Sequence, residues 1–257
     1  MAVLDALGTR TASLGEAAKY LTLIQDIESE ITTSLHVTLH DKGVDPAIFD
    51  KLSIRFFADT ILITYEVKDK RKELQYFTRI TFVLRMFIYK ALEMGLLFRG
   101  SLSLGEYVDK DAVVLGPAVS DAAIWYEELD MVGVMVTPHA ALALKHLHVR
   151  KWAVPTMWVW QGEAVLEKAC FKDAKKPPLD IFLLNWVYCI AAGDEKPVDE
   201  LSWFYKTMRA FPIPAGAETK FANTEAFFLR RYQEIVTERA KVEAASTTAA
   251  KTLEHGK

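Results

Sequence analysis

Apolar and polar residues alternate along this chain in two rhythms. Leu52 to Phe57 and Thr60 to Tyr65 are short runs rich in Ile, Phe, Thr and Leu, and such residues suit a pleated, half-buried surface. Ala58-Asp59 between them suits a tight reversal, so the pattern predicts a β-hairpin with a carboxylate at its tip. Met1 to Leu7 reads as a short strand carrying Asp5, followed by a loop at Gly8-Thr9-Arg10-Thr11. Elsewhere the spacing is helical. Ala17, Tyr20, Leu21, Ile24, Ile27 and Ile31 predict an amphipathic helix, capped by Ser13 with Glu16 as capping-box partner and running to about His36. Tyr76, Ile80, Val83, Leu84, Phe87 and Ala91 predict a second helix that ends at Gly95. Leu96 to Val108 reads as one strand, and Asp109-Lys110-Asp111 turns it into a partner strand at Ala112 to Leu115. A helix over Ala118–Leu129, a strand over Met131–Thr137 and a helical Pro138–His146 follow. Strands are expected within Trp152–Phe171, a buried segment at Leu179–Tyr188, and helices at Asp199–Ala210 and Thr219–Ala245, with Ser246 to Lys257 fraying.

The order through residue 137 opens as βαββαβ. That is the ferredoxin-like pattern, an antiparallel sheet with two helices on one face. The expected fold class is therefore α+β, an α/β sandwich with a ferredoxin-like core, extra strands and a helical C-terminal extension. Domain bounds of 1–195 for the core and 196–257 for the extension, packed on the same domain, follow from the element order. In this topology the first strand lies beside the hairpin, so Asp5 and Asp59 meet. Two carboxylates brought together without a basic partner repel each other unless one is protonated or a cation lies between them. Asp59 alone fits a turn residue and Asp5 alone a strand-end cap; together they fit a ligand pair for a hard cation such as Mg²⁺ or Mn²⁺.

Composition narrows the partners. The 257 residues are 51% hydrophobic and 25% charged, enough for a sizeable core. A net charge of −3 gives no reason to expect nucleic acid or an anionic membrane as partner. Cys170 and Cys189 lack metal spacing and fit a reducing cytoplasm, and no signal pattern opens the chain. The apolar run Ile80 to Phe98 is broken by Arg85, Lys90 and Glu93, which places it in a core rather than a bilayer. His139, His146 and His148 lack a carboxylate set and read as solvated, while Trp152, Trp158, Trp160 and Trp186 read as core or interface residues.

Four segments in order resemble the class III nucleotidyl cyclases, over roughly residues 1–137. Asp5-Ala6-Leu7-Gly8 is similar to the family's Asp-x-x-Gly metal motif. Arg55-Phe56-Phe57-Ala58-Asp59 is similar to its Lys-Thr-x-Gly-Asp hairpin. Arg99-Gly100-Ser101 through Gly105 loosely follows Arg-x-Gly-x-x-x-Gly, and Gly116 to Glu127 follows the helix Gly-x-x-Val-Asn-x-Ala-x-Arg-x-x-Glu. More narrowly, the opening Leu-Asp-Ala-Leu-Gly-Thr, the Phe-Arg-Gly-Ser strand, Asn185-Trp186 and Lys220-Phe221-Ala222-Asn223-Thr224 resemble cyclases of the bacterial Pycsar antiphage systems, which make cyclic UMP or cyclic CMP.

The resemblance implies a cytoplasmic homodimer with active sites at its interface. Asp5, the Ala6 carbonyl and Asp59 would hold two Mn²⁺ or Mg²⁺ ions, with Asp5 and Asp59 the catalytic pair. Leu7, Gly8, Thr9 and Arg10 would face the triphosphate of the NTP substrate. Arg55 of the other subunit, beside Phe57, would meet the base. The chain departs from the pattern on the last helix. The ribose-orienting Asn is Ser120, and the Arg that stabilises the transition state is Ile124, with Arg10, Arg99 and Lys151 as basic residues that could serve instead. Arg55 is a pure donor and Val113 offers no acceptor, which favours UTP, with CTP possible. Arg55 also fits an edge charge, and Arg99 the partner of a surface carboxylate. The expected function is a Pycsar-type uridylate or cytidylate cyclase. The alternative is a degenerate relative that binds a nucleotide or a partner without turnover; a diguanylate-type cyclase is disfavoured because the hairpin lacks Gly-Gly-Asp.

Overall fold

The computed structural model describes residues 1–7, 15, 18, 21–27, 29, 33, 52–57, 59–67, 73–110, 113–143, 164–168, 180–191, 199–211, 213 and 215–254. Strands are β1 Ala2–Ala6, β2 Leu52–Phe57, β3 Thr60–Tyr65, β4 Phe98–Leu102, β5 Val108–Lys110, β6 Val113–Leu115, β7 Gly133–Val136, β8 Ala164–Lys168 and β9 Asp180–Leu184. Helices are α1 Glu73–Glu93, α2 Pro117–Glu128, α3 Val187–Ala191, α4 Glu200–Arg209 and α5 Glu218–Glu254, and residues 21–27 and 138–143 are also helical. The mixed α+β class expected from the periodicity is what forms. A seven-stranded sheet runs β2-β3-β1-β4-β7-β9-β8, and β5-β6 makes a separate ribbon. The first four of these strands are antiparallel to their neighbours, whereas β7 joins β4 in parallel and β9 and β8 continue antiparallel.

The two faces of the sheet follow from strand alternation. Ala2, Leu4, Ile61, Ile63, Phe98 and Leu102 point to one face and are fully buried there. Ile24, Ile27 and the α1 residues Ile80, Leu84, Phe87 and Ile88 join them in the main core. Val3, Leu62 and Met1 point the other way and pack on Ala118 and Ala122 of α2. Close approach of α2 is possible because β4 carries small residues there. Ser101 and Ser103 donate from Oγ to the carbonyls of Ala122 and Ala118 at 2.6 and 2.7 Å. On the opposite side of β4, a Cβ at Gly100 would lie 2.4 Å from Leu4 Cδ2 and 2.5 Å from the Val3 carbonyl oxygen, so no side chain fits. Gly116 caps α2 at φ 147°, with Pro117 in the first turn, as expected for that pair.

Some boundaries differ from the reading of the sequence. Leu96–Val108 is not one strand: β4 stops at Leu102, and Val108 starts β5. Asp109 and Lys110 are strand residues paired with Val114 and Val113, not a turn, because the ribbon is short and every residue beside the reversal pairs. Leu179–Tyr188 divides into β9 and the start of α3, and α5 continues through the segment expected to fray, to Glu254. Helix α1 ends as expected, with Gly95 and Leu96 N–H bonding back to Leu92 and Ala91 carbonyls at 3.1 and 2.7 Å, a Schellman closure. The C-terminal helices share the main core: Trp186, Phe204, Phe227 and Phe228 are buried with the sheet residues. Phe204 and Phe228 stack with centroids 3.6 Å apart.

Candidate functional site

Register builds the site. Phe57 pairs with Thr60, Thr60 with Asp5, and Asp5 with Arg99, so four side chains stand in one cross-strand row on the face that carries α2. At strand spacing the row is roughly 14 Å long. Asp59 follows at the hairpin tip, and its carbonyl accepts from Ala6 N–H at 3.0 Å, which ties the tip to the end of β1. The two acidic residues are thus brought to the same end of the sheet.

The expectation that they meet without a basic partner is overturned. Arg99 is buried, 5% exposed, and donates from Nε and Nη2 to Asp5 Oδ2, both at 3.0 Å. Its Nη1 donates to the Glu127 carbonyl at 3.0 Å, and the Tyr126 ring lies 5.8 Å from its Cζ. Arg99 is therefore neither a surface partner nor a spare cation. It holds the Asp5 carboxylate in one orientation by charge-assisted bonds, and it halves the negative charge that Asp5 and Asp59 would otherwise bring together. Tyr126 donates to Glu127 Oε1 at 3.3 Å. Burial first, then the charges of Asp5 and Glu127, push its phenol above the ordinary value despite Arg99 nearby.

The remaining residues sort by place. Ala6 is buried, and Leu7 N–H donates to the Leu97 carbonyl at 2.9 Å. Gly8, Thr9, Arg10 and Lys151 lie outside the described residues. Phe57 is 46% exposed at the end of the row. Arg55, two residues earlier on the same face of β2, makes an ion pair from Nη2 to Asp109 Oδ1 at 2.5 Å. The donor-only character expected of this corner is thereby corrected, because a carboxylate stands beside the guanidinium. Ser120 is exposed and Ile124 is 64% exposed, on the side of α2 away from Ala118 and Ala122. The sheet claims the small residues, so these two positions face outward and do not join the row in their own chain.

Oxygen donors of the Asp5, Asp59 and backbone-carbonyl type suit Mg²⁺ or Mn²⁺. Among the described residues no three His, Cys, Asp or Glu side chains form a metal-sized group, so carbonyl, phosphate or water oxygens would complete any such sphere. Asp109 and Tyr126 are site residues that the sequence reading passed over, and Glu127, quoted there only as the last residue of the helix motif, contributes its carbonyl. Asp109 was signalled only by the flanking Val108 and Val113–Leu115, a strand pattern across a short turn. Two stretches quoted for the resemblance have architectural roles. Trp186 packs on Phe227 and Phe228, and Thr224 Oγ1 accepts from Val132 N–H at 2.9 Å while Asn223 donates to the Asp130 carbonyl at 2.9 Å. No helix among the described residues is long and apolar enough to cross a membrane. No protein-family model matches the chain, and no curated protein matches it significantly.

Proposed function

We propose that this protein is a nucleotidyl cyclase of the class III type, converting a pyrimidine NTP, with UTP favoured, to a 3′,5′-cyclic nucleotide and pyrophosphate. The observation that carries the reading is the placement of Asp5 and Asp59 at one sheet end by the strand order β2-β3-β1-β4. That order, with helical residues 21–27 and α1 on one face, supports a ferredoxin-like cyclase core. Asp5, Asp59 and the Ala6 carbonyl would hold the two divalent cations, which when bound acidify the ribose 3′-hydroxyl and offset phosphate charge. Arg99 keeps Asp5 Oδ2 engaged and aims its other oxygen. Tyr126 and the Glu127 carbonyl keep Arg99 from turning away. Arg55 of the other subunit, beside Phe57, would border the place of the base.

A cytoplasmic homodimer fits the exposed aliphatic surface around this face. Val108, Val113, Leu115 and Ile124 are 65, 52, 64 and 64% exposed, and apolar side chains left open in this way suit a contact with a second copy. The product would act as a signal in antiphage defence. One observation favours a second reading, a cyclase-fold protein that binds nucleotide without turnover: Ile124 cannot stabilise transition-state charge, and such a loss typically costs two to three orders of magnitude in rate, roughly.

Incubation of purified protein with each NTP and Mn²⁺, followed by chromatography for cyclic product, separates the two. Cyclic UMP or cyclic CMP is expected, with loss of at least about a hundredfold in Asp59→Ala. A folded dimer that makes no cyclic product from any NTP sinks the enzyme reading, and full activity in Asp59→Ala sinks the metal assignment.

A further inference from the structure

Taking Asp5 and Asp59 as the cation ligands of the cyclase reading, on which this step rests, we infer that Arg99 makes occupation of that site conditional on an anion. The nucleotide-free protein holds Mn²⁺ weakly, and a bound triphosphate supplies the charge that lets the ion stay. Few charged side chains gather at this end of the sheet among the described residues. Asp5 and Asp59 come from β1 and the hairpin tip, and Arg99 from β4. The Glu127 carboxylate is exposed and accepts from the Tyr126 hydroxyl at 3.3 Å. Asp5 and Asp59 with Arg99 between them therefore leave a single net negative charge to face divalent cations.

Arg99 is a fixed charge. Its Nε and Nη2 converge on Asp5 Oδ2 at 3.0 Å each, its Nη1 donates to the Glu127 carbonyl at 3.0 Å, and the Tyr126 ring lies 5.8 Å from its Cζ. Buried at 5% exposure, it cannot hand that charge to solvent. Both bonds to Asp5 fall on one oxygen, so Oδ1 keeps its lone pairs for a ligand.

Two opposed effects act on a cation at Asp5. A hydrogen-bonded carboxylate is held in place, which favours coordination. A guanidinium bonded to the same carboxylate repels the ion. That repulsion is weakly screened, because the Asp5 and Arg99 side chains are only 16 and 6% exposed. The ion carries two charges, so repulsion outweighs orientation in the free protein. A triphosphate reverses the balance. Its oxygens complete a sphere to which the described residues bring no third His, Cys, Asp or Glu, and its charge offsets the guanidinium. An Arg99 that only oriented Asp5 would give the opposite sign on substitution, since its loss would weaken metal binding. Arg99→Gln tells the two apart: the amide keeps an N–H for Oδ2 and the charge is gone. Arg99→Lys keeps the charge.

The experiment is calorimetric titration of Mn²⁺ into nucleotide-free wild type, Arg99→Gln, Arg99→Lys and the double variant Arg99→Gln with Asp59→Ala, with melting temperatures measured alongside. Arg99→Gln should bind Mn²⁺ more tightly than the wild type by about tenfold or more, and Arg99→Lys should stay within about threefold of the wild type. The gain should vanish in the double variant. A folded Arg99→Gln that binds Mn²⁺ no better than the wild type, or a gain that survives the loss of Asp59, overturns the inference. A second measurement needs no variant at Arg99. Titration of the wild type with 3′-deoxy-UTP and 3′-deoxy-CTP, which lack the attacking hydroxyl, should show affinity raised about tenfold or more by Mn²⁺, because coupling between ion and nucleotide is reciprocal. Equal affinity with and without Mn²⁺ overturns the inference even where Arg99→Gln does not fold. Nucleotide binding that depends on Mn²⁺, beside an Arg99→Gln that gains nothing, removes the inference and leaves the cyclase reading standing. If neither Mn²⁺ nor either nucleotide binds any of these proteins, the cyclase reading falls and the inference with it.

Discussion

At the scale of single residues, the chemistry of this face is set by which acid meets which base. Asp5 is compensated by Arg99, and the pair is inaccessible enough that removing one partner strands the other; the Asp5 side chain is 16% exposed and that of Arg99 6%. Arg99→Met should therefore lower stability by about 3 kcal/mol, read as a shift in the urea midpoint. A midpoint equal to that of the wild type would show that the ion pair is dispensable. Tyr126 gives a pH prediction with a definite sign. Its phenol is held above the ordinary tyrosine value of about 10, so the folded state keeps this proton longer than the unfolded chain does. The contribution is whole below pH 10 and is lost as pH rises through the folded value, since only the unfolded chain ionises in that window. Tyr126→Phe should lose less stability than the wild type between neutral pH and pH 11, measured by denaturation at each pH. Parallel curves would contradict the assignment.

At the scale of elements, the sheet and α2 depend on residues without bulk. Gly100 lies in the middle of β4 against Leu4 and the Val3 carbonyl, and the contact is with backbone as well as side chain. Gly100→Ala should cost about 1–3 kcal/mol, visible as a lower melting temperature. A neutral outcome would mean that β1 and β4 can separate without penalty. A glycine inside a strand is readable in the sequence, and at Gly100 the structure names what approaches it. Helix periods were equally legible: the α1 stripe and its end at Gly95 need only local spacing and a turn residue. The ribbon was not. Asp109-Lys110-Asp111 has the composition of a turn, and pairing of Asp109 with Val114 comes from the register of a hairpin three residues long per strand.

At the scale of the whole molecule, the core is continuous from sheet to C-terminal helices. Phe204 of α4, Phe228 of α5 and Trp186, just before α3, share one cluster with residues of β7 and β9. Phe228→Ala should remove about 3–5 kcal/mol and lower a single cooperative transition. Two transitions, with only one displaced, would show instead that the region after residue 195 folds by itself. Element order alone marks the residues after 195 as a helical extension; which apolar faces the extension shares with the core is a matter of tertiary packing.

What the sequence determined by itself was local. Period two and period 3.6 located most strands and helices, and a carboxylate at a hairpin tip and another in the first strand marked the chemistry, because each depends on neighbours a few residues away. Tertiary structure decided the partners. Asp5 and Arg99 are 94 positions apart and meet only because β4 pairs beside β1. Arg55 meets Asp109 only because the ribbon turns the face that carries Asp109 and Val114 inward. Charge compensation is a property of strands brought side by side, and such pairing is written in no short stretch of the chain.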